Sequence, residues 1–197
     1  MKKTKNNLNI IHDFNGILLY QDAFTTIGMD KVLEGIEWRN DSITFFGKTY
    51  PQPRLTAWYG DAGVEYTYSK IKMIAQGWTP ELLKLKIQLE KTLEKPFNSV
   101  LINYYRNGLD HMSYHTDDEK SLGENPTIAS LSFGATRKFY IKHRFEKNIK
   151  AQMFELKSQS LLVMKDEFQH FWLHKIAKSK TINEARLNLT FRYIKEN

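Results

Sequence analysis

The chain has 197 residues, 41% of them hydrophobic, which is enough for one domain with a sizeable core and too little for two. It contains no cysteine, which excludes disulfides, zinc ribbons and thiol nucleophiles. The formal net charge of +7 indicates a polyanionic partner without naming one. No apolar run approaches the ~20 residues of a membrane span. His12 and Asp13 interrupt the apolar start, so we expect a soluble cytoplasmic protein without a signal peptide.

The first part of the chain predicts a helix followed by short strands. Apolar residues recur at helical spacing from Asp22 to Trp38, although Gly28 and Gly35 weaken the ends of this helix. The next stretch, SITFFGKTYPQPRLTAWYGDAGVEYTYSK, is rich in β-branched and aromatic residues and is broken by Gly and Pro. That composition is typical of short strands joined by turns.

A second helix is predicted after Trp78. Thr79 is a suitable N-cap, Pro80 suits the first helical position, and Pro96 marks the end. Its apolar stripe consists of Leu82, Leu85, Leu89 and Leu93. The segments VLINYY, TIASLSF, KFYIKH, MFEL, SLLVM and LNLTFRYI then follow as predicted strands. Helices followed by many short strands indicate an α+β, mainly β chain whose second half is a sandwich or barrel, and the lack of a linker indicates one domain over residues 1–197.

The pattern His115, Thr116, Asp117 is a candidate metal-binding pair. In an extended segment, alternate residues point the same way, so the imidazole and the carboxylate can share one ion. His174 is the candidate third ligand. Two histidines and one carboxylate on one face of an iron leave other positions open, as in non-haem Fe(II) oxygenases. An alternative pairs His170 with His174 as helical zinc ligands, but that segment lacks the HExxH pattern and is aromatic enough to be a strand.

The last predicted strand alternates apolar and polar residues. Leu187, Leu189, Phe191 and Tyr193 fall on one face, and Arg186, Asn188, Thr190 and Arg192 fall on the other. The polar face either is exposed to water or lines an interior pocket. Arg186 and Arg192 lie ~20 Å apart along a strand, so they can approach a short diacid only from its two ends. A run of basic residues from Arg137 to Lys150 is equally compatible with a solvated face and a phosphate-binding surface.

The motif HTD at His115 to Asp117 is followed by His174 and then by RLNLTFR. Together with VLINYYRNG, YGDAG and SLSFGATRKF, this set resembles the AlkB family of Fe(II)- and 2-oxoglutarate-dependent dioxygenases that repair alkylated nucleic acid. The resemblance covers the chain from Phe46 to Tyr193, and it is closest to the members that repair duplex DNA. It implies a double-stranded β-helix, or jelly roll, with N-terminal helices packed on one sheet. The implied regions are an N-terminal extension with a helix at 1–40, a nucleotide-recognition region at 41–70 and a jelly-roll core at 97–197.

The resemblance assigns site residues one by one. It makes His115, Asp117 and His174 the iron ligands and catalytic centre. It makes Asn103, Tyr105, Arg186, Asn188, Thr190 and Arg192 the 2-oxoglutarate site, with Arg186 on the distal carboxylate and Arg192 nearer the iron. Tyr66, Thr67, Tyr68 and Asp118 match positions that contact the substrate base, and an exposed turn is the alternative for Asp118.

The loop SITFFGKTYPQPR resembles the one that inserts an aromatic ring into duplex DNA to fill the gap left by an extruded base. Here that ring belongs to Phe46, with Gly47 beside it and Lys48 and Arg54 available to phosphates.

The resemblance implies oxidative dealkylation of bases such as 1-methyladenine and 3-methylcytosine in DNA. 2-Oxoglutarate and O2 are converted to succinate and CO2, and the alkyl carbon leaves as formaldehyde. Duplex DNA is the expected substrate, single strands and RNA are alternatives, and we expect a monomer. The competing functions are an oxygenase of the same class acting on RNA or another substrate, and a catalytically inactive nucleic-acid-binding relative.

Overall fold

The computed structural model describes residues 9–24, 27–45, 47–68 and 71–195. The strands are β1 (Asn9–Phe14), β2 (Ile17–Gln21), β3 (Ser42–Phe45), β4 (Lys48–Pro51), β5 (Leu55–Gly60), β6 (Glu65–Tyr68), β7 (Ile71–Ile74), β8 (Ser99–Tyr105), β9 (Met112–His115), β10 (Ile128–Gly134), β11 (Arg137–His143), β12 (Gln152–Leu156), β13 (Leu161–Met164), β14 (Trp172–Ile176) and β15 (Arg186–Arg192). The helices are α1 (Met29–Leu33), α2 (Pro80–Leu93) and α3 (Phe168–Phe171), with a 3-10 turn at Lys120–Leu122.

Most strands belong to two antiparallel sheets. The large sheet has the order β1-β2-β13-β10-β15-β8-β5, and the small sheet has the order β12-β11-β14-β9. One face of the large sheet packs on α1 and α2, with Val32, Leu85 and Ile102 in the same buried cluster. The other face packs on the small sheet, where Leu101 joins Ile141 in a second cluster. The predicted fold class, a mainly β jelly roll with helices packed on one sheet, is confirmed.

Strand β15 lies inside the large sheet, between β8 and β10. Asn188 is opposite Asn103 on one side and Ser132 on the other. Every residue of β15 is buried, so its polar face does not meet bulk water. Of the two alternatives left open by the sequence, the interior pocket is therefore correct.

The helix that begins at Pro80 follows its sequence signals. The Thr79 side chain accepts a hydrogen bond from the Leu82 backbone at 3.3 Å, and Leu82, Leu85 and Leu89 are buried. Glu94 closes the helix in the left-handed region. Among the described residues, no helix combines the length and apolar character that a membrane span requires.

The helix predicted from Asp22 to Trp38 is wrong in extent, because α1 covers only Met29–Leu33. Gly28 precedes the helix in an extended conformation, and Gly35 has a φ of 74° soon after it. The two glycines therefore limit the helix to little more than one turn.

The N-terminal hairpin of β1 and β2 was not predicted. Its turn uses Asn15 and Gly16, whose φ values are 44° and 80°, the backbone that a tight two-residue hairpin requires. β2 pairs with β13, so the hairpin extends the edge of the large sheet. Strands of this sheet thus come from residues before 97, where the jelly-roll core was predicted to begin. The division into extension, recognition region and core stays a prediction.

Candidate metal and cosubstrate site

Three predicted ligands converge between the sheets. His115 ends β9, His174 lies opposite it in β14, and Asp117 follows two residues after the strand. One ligand atom from each residue lies within 4.8 Å of the others. The Nε2 atom of His115 is 3.6 Å from Oδ1 of Asp117, and the two imidazole centroids are 4.1 Å apart. One small ion can therefore contact all three side chains.

The protonation states suit a divalent metal. The Nδ1–H of His115 donates to the Ser113 carbonyl at 2.9 Å, so the lone pair of Nε2 faces Asp117. Burial lowers the pKa of His174 to about 3, so its imidazole is neutral at physiological pH. Its buried Nδ1 has no hydrogen-bond partner among the described residues, as expected where an ion or water completes a site. Two imidazoles and a carboxylate form a donor set that fits Fe(II).

Asp117 is held from two directions. Its Oδ2 accepts a hydrogen bond from Nη2 of Arg192 at 2.7 Å, and its backbone N–H donates to Oε1 of Gln169 at 2.9 Å. Burial alone would raise the Asp117 pKa, but Arg192 and the two imidazoles hold that pKa well below its usual range. The carboxylate is therefore ionised. Gln169 was not predicted, because an isolated amide in the aromatic segment EFQHFWLH carries no recognisable signal.

A cavity of about 60 Å³ adjoins the three ligands. Its polar lining includes all six residues assigned to the 2-oxoglutarate site, namely Asn103, Tyr105, Arg186, Asn188, Thr190 and Arg192. Nδ2 of Asn188 donates to Oγ of Ser130 at 2.8 Å, and the Thr190 hydroxyl donates to Oδ1 of Asn188 at 3.1 Å. These contacts fix the polar face of β15 toward the cavity. The structure thus brings the assigned residues together, while their contacts with a cosubstrate stay predictions.

Arg186 is the buried cation at one end of this cavity. It is 1% exposed, Nη2 donates to Oγ of Ser132 at 2.9 Å, and its guanidinium lies 5.3 Å from the centre of the Tyr105 ring. Nε and Nη1 have no hydrogen-bond acceptor among the described residues. Burial lowers the Arg186 pKa to about 10, which still leaves it charged at neutral pH. A buried charge with open N–H groups fits an anionic ligand such as a carboxylate.

The predicted substrate contacts are more dispersed. Gly47 is exposed in the turn of the β3–β4 hairpin, and Lys48 is exposed at the start of β4. Phe46 lies outside the described residues. Tyr66, Thr67 and Tyr68 belong to β6, which pairs only with β7 in the described part of the chain. Asp118 is exposed, and its Oδ2 lies 3.4 Å from Nη1 of Arg144. The roles of these residues toward a substrate stay predictions.

The phosphate contact predicted for Arg54 is wrong. Arg54 is 5% exposed, and its Nε donates to Oδ1 of Asn103 at 2.7 Å on the wall of the cavity. It immediately precedes β5, which pairs with β8, so its side chain points between the sheets. Arg54 thus orients an amide of the candidate cosubstrate site.

One member of the basic run is also buried. Arg137 is 1% exposed, and its guanidinium donates to four backbone carbonyls, those of Asn107, Gly108, Asp110 and Ala177. Arg137 thereby holds the loop before β9 and the end of β14, and it is not available to phosphate. The other basic residues of the run, Lys138, Lys142, Arg144, Lys147 and Lys150, are exposed.

The alternative zinc pair is excluded by the backbone. His170 lies in α3, whereas His174 lies in β14, so the two do not share a helix face. Nε2 of His170 instead donates to Oδ1 of Asn125 at 3.0 Å.

The buried His174 gives the metal-free protein a pH-dependent stability. Its folded pKa of about 3 lies below the value of about 6.5 in an unfolded chain, so unfolding takes up a proton at acidic pH. The stabilisation is therefore complete above about pH 6.5, and lowering the pH from about 7.5 to about 5 should remove about 2 kcal/mol from the free energy of unfolding. Urea unfolding with a chelator measures this change. His174→Gln, which does not titrate, is the control, and equal pH dependence in both proteins would contradict the assignment.

Comparison with known proteins identifies the family. The family model of the 2OG-Fe(II) oxygenase superfamily matches residues 17–192. The chain is 39% identical over 174 residues to alpha-ketoglutarate-dependent dioxygenase alkB homolog 3 from Rattus norvegicus, covering 84% of this chain and 58% of that relative. It is 34% identical over 188 residues to DNA oxidative demethylase ALKBH2 from Mus musculus, covering 89% of this chain and 79% of that relative.

The fold is similar to that of a solved structure. The solved structure of OsALKBH1 superposes with a TM-score of 0.64 at 16% identity, covering 94% of this chain and 100% of that one. The chain spans less than two thirds of the alkB homolog 3 relative and most of the ALKBH2 relative. With the sequence match extending over both sheets and all three candidate ligands, the chain belongs to the 2OG-Fe(II) oxygenase superfamily and, within it, to the AlkB family.

Proposed function

We propose that the chain is an Fe(II)- and 2-oxoglutarate-dependent dioxygenase that removes alkyl groups from ring nitrogens of DNA bases. The observation that carries the proposal is one interior cavity that joins a His-Asp-His cluster to two buried arginines. A structural metal site has no use for buried guanidinium groups beside it. The relative ALKBH2 is named a DNA oxidative demethylase, which supports the choice of substrate.

The residues of the chain bind the metal and the cosubstrate and orient them. His115, Asp117 and His174 hold Fe(II), and the open N–H groups of Arg186 bind the distal carboxylate of 2-oxoglutarate. Arg192 fixes the Asp117 carboxylate and adds positive charge at the metal end of the cavity. When bound, the iron and the cosubstrate supply the oxidising chemistry, so that succinate, CO2 and formaldehyde are released.

The walls of the cavity exclude bulk water from this chemistry. Leu101, Met164 and Ile176 line it together with the polar residues, and all three are buried in the contact between the sheets. Such walls would keep solvent away from the alkyl group and from the metal end of the cavity, where the iron and the cosubstrate would supply the oxidising chemistry. A base alkylated on its pairing edge is the easiest to extrude from a duplex, which suits delivery to such a pocket.

The test is anaerobic reconstitution with Fe(II), followed by O2, 2-oxoglutarate and oligonucleotides that carry a single 1-methyladenine. Base restoration with formaldehyde release that requires both iron and 2-oxoglutarate is the expected result. Succinate release without restoration on DNA would overturn the DNA assignment, and the same lesion in RNA would then test the alternative substrate. No succinate release under any condition would overturn the oxygenase.

The β3–β4 hairpin gives a prediction about duplex DNA. Phe46, which lies outside the described residues, stands in the sequence between Phe45 and Gly47, and Lys48 after them is exposed. If its ring fills the gap left by an extruded base, Phe46→Ala should lower repair of duplex substrates by about tenfold relative to single strands. Tyr50→Ala, which removes a half-exposed ring from the same hairpin, is the matched control. An unchanged ratio of duplex to single-strand repair would show that Phe46 is not the wedge.

A further inference from the structure

Three aromatic side chains form a surface patch at the end of the small sheet. We call His143, Phe145 and Phe171 the aromatic platform. Phe145 is 63% exposed and Phe171 is 40% exposed, unusually high values for phenylalanine. The His143 ring lies nearly parallel to Phe171 at 6.0 Å and nearly perpendicular to Phe145 at 6.3 Å. The three rings therefore form one surface with His143 at its centre.

The platform is held in place by its own hydrogen bonds. Nδ1 of His143 accepts hydrogen bonds from the backbone N–H groups of Phe145 at 3.4 Å and Glu146 at 2.9 Å. The backbone N–H of Arg144 donates to the Phe171 carbonyl at 2.7 Å, which ties this loop to the end of α3. Buried Trp172 meets the His143 ring edge-on at 5.2 Å from below. The exposed rings are thus preorganised, so a ligand need not order them on binding.

The surroundings of the platform are cationic and close to the candidate metal site. The exposed residues Lys142, Arg144, Lys147 and Lys150 belong to the same segment. The Arg144 guanidinium lies 5.5 Å from the centre of the Phe145 ring. The same guanidinium contacts Asp118, which directly follows the ligand Asp117. Arg144 therefore connects the platform to the residue that directly follows a candidate metal ligand.

A cavity of about 460 Å³ opens beside the platform. Its lining includes the aromatic residues His143, Phe168, Phe171 and Trp172 and the acidic residues Asp166 and Glu167. Two carboxylates in this lining would repel a phosphate, so the cavity favours an uncharged group. A flat, uncharged group attached to a polyanion has the chemistry that fits both surfaces. A nucleic-acid base is such a group, since its ring stacks on aromatic side chains while its backbone carries the charge.

We propose that the aromatic platform stacks an unpaired base of the nucleic-acid strand outside the catalytic cavity, while the neighbouring lysines bind its phosphates. The proposal rests on the proposed function, because it takes the same polymer as substrate. It adds a second base-binding site that favours single-stranded segments, in which a base is free to leave the stack. The chain would then bind its substrate at two bases, one beside the iron and one on the platform.

The test compares a short single-stranded DNA with an abasic strand of the same length, using the full chain loaded with Fe(II) and 2-oxoglutarate without O2. Fluorescence anisotropy gives the affinities. The double variant Phe145→Ala/Phe171→Ala should bind the base-bearing strand about tenfold more weakly and the abasic strand as tightly as wild type does. Phe145→Trp should retain tight binding. Leu109→Ala, which removes another exposed apolar side chain, is the control.

Equal affinity of wild type and the double variant for the base-bearing strand would overturn the proposal. An equal loss on both strands would overturn it as well, because it would indicate a general change of the surface. Methylated-base turnover is measured separately on wild type. If wild type repairs DNA and the platform variants bind it with normal affinity, the base-stacking proposal is wrong and the proposed function stands. Base-dependent binding without repair would refute the proposed function alone.

Discussion

Asp117→Asn is expected to lower metal-dependent succinate formation by on the order of a thousandfold, which corresponds to about 4 kcal/mol. The reason lies in how the two oxygens of the carboxylate are used. Oδ2 accepts the hydrogen bond from Arg192 at 2.7 Å, which leaves Oδ1 for an ion beside His115. An asparagine has one acceptor oxygen, so it serves Arg192 or the metal but not both.

Asp118→Asn is the matched control for this substitution. It changes the next residue in the chain by the same isosteric exchange, but Asp118 is exposed and contacts only Arg144 among the interactions described here. Fe(II)-dependent thermal stabilisation should disappear in Asp117→Asn and persist in Asp118→Asn, and this readout does not depend on turnover. If Asp117→Asn kept its metal-dependent stabilisation, the carboxylate would not be a ligand.

Much of this site was predictable because its residues are close in sequence or share a strand. His115 and Asp117 are separated by one residue, and the four polar residues of β15 alternate with apolar ones. Alternation fixes which side chains share a face of a strand. It does not fix which face meets water. That depends on β15 having neighbours on both edges and a second sheet over its polar face, which are properties of the whole fold.

The wrong expectations about two arginines have the same physical cause. Arg54 was expected to be available to phosphate, and Arg137 was counted in a basic run expected either to face solvent or to bind phosphate, since an arginine is usually exposed. Each is instead buried by long-range packing and donates to groups far away in the chain, Arg54 to Asn103 and Arg137 to carbonyls that include Ala177. Local sequence carries no record of such partners. The N-terminal hairpin is a different case, because Asn15 and Gly16 between apolar residues are a local signal of a two-residue hairpin turn.

The burial of Arg186 leads to a prediction in which stability and cosubstrate binding separate. Arg186→Met should raise the KM for 2-oxoglutarate at least about a hundredfold, because the cosubstrate carboxylate loses a paired, charge-assisted contact. The folded protein should lose little stability. Met is an apolar side chain of similar length, and it replaces a buried guanidinium whose Nε and Nη1 have no acceptor among the described residues. Initial rates of succinate formation and urea unfolding without ligand measure the two effects.

Arg137→Met supplies the opposite case. Arg137 is as deeply buried as Arg186, but its guanidinium satisfies four backbone carbonyls. Removing it should cost about 3 kcal/mol or more of unfolding free energy, because buried acceptors lose their donor. The two buried arginines, whose guanidiniums lie 5.6 Å and 5.3 Å from the centre of the Tyr105 ring, would thus respond differently to the same substitution. Arg186 would be a ligand-binding residue and Arg137 a structural one. If Arg186→Met unfolded the protein as readily as Arg137→Met, the open N–H groups of Arg186 would be serving the fold and not an anion.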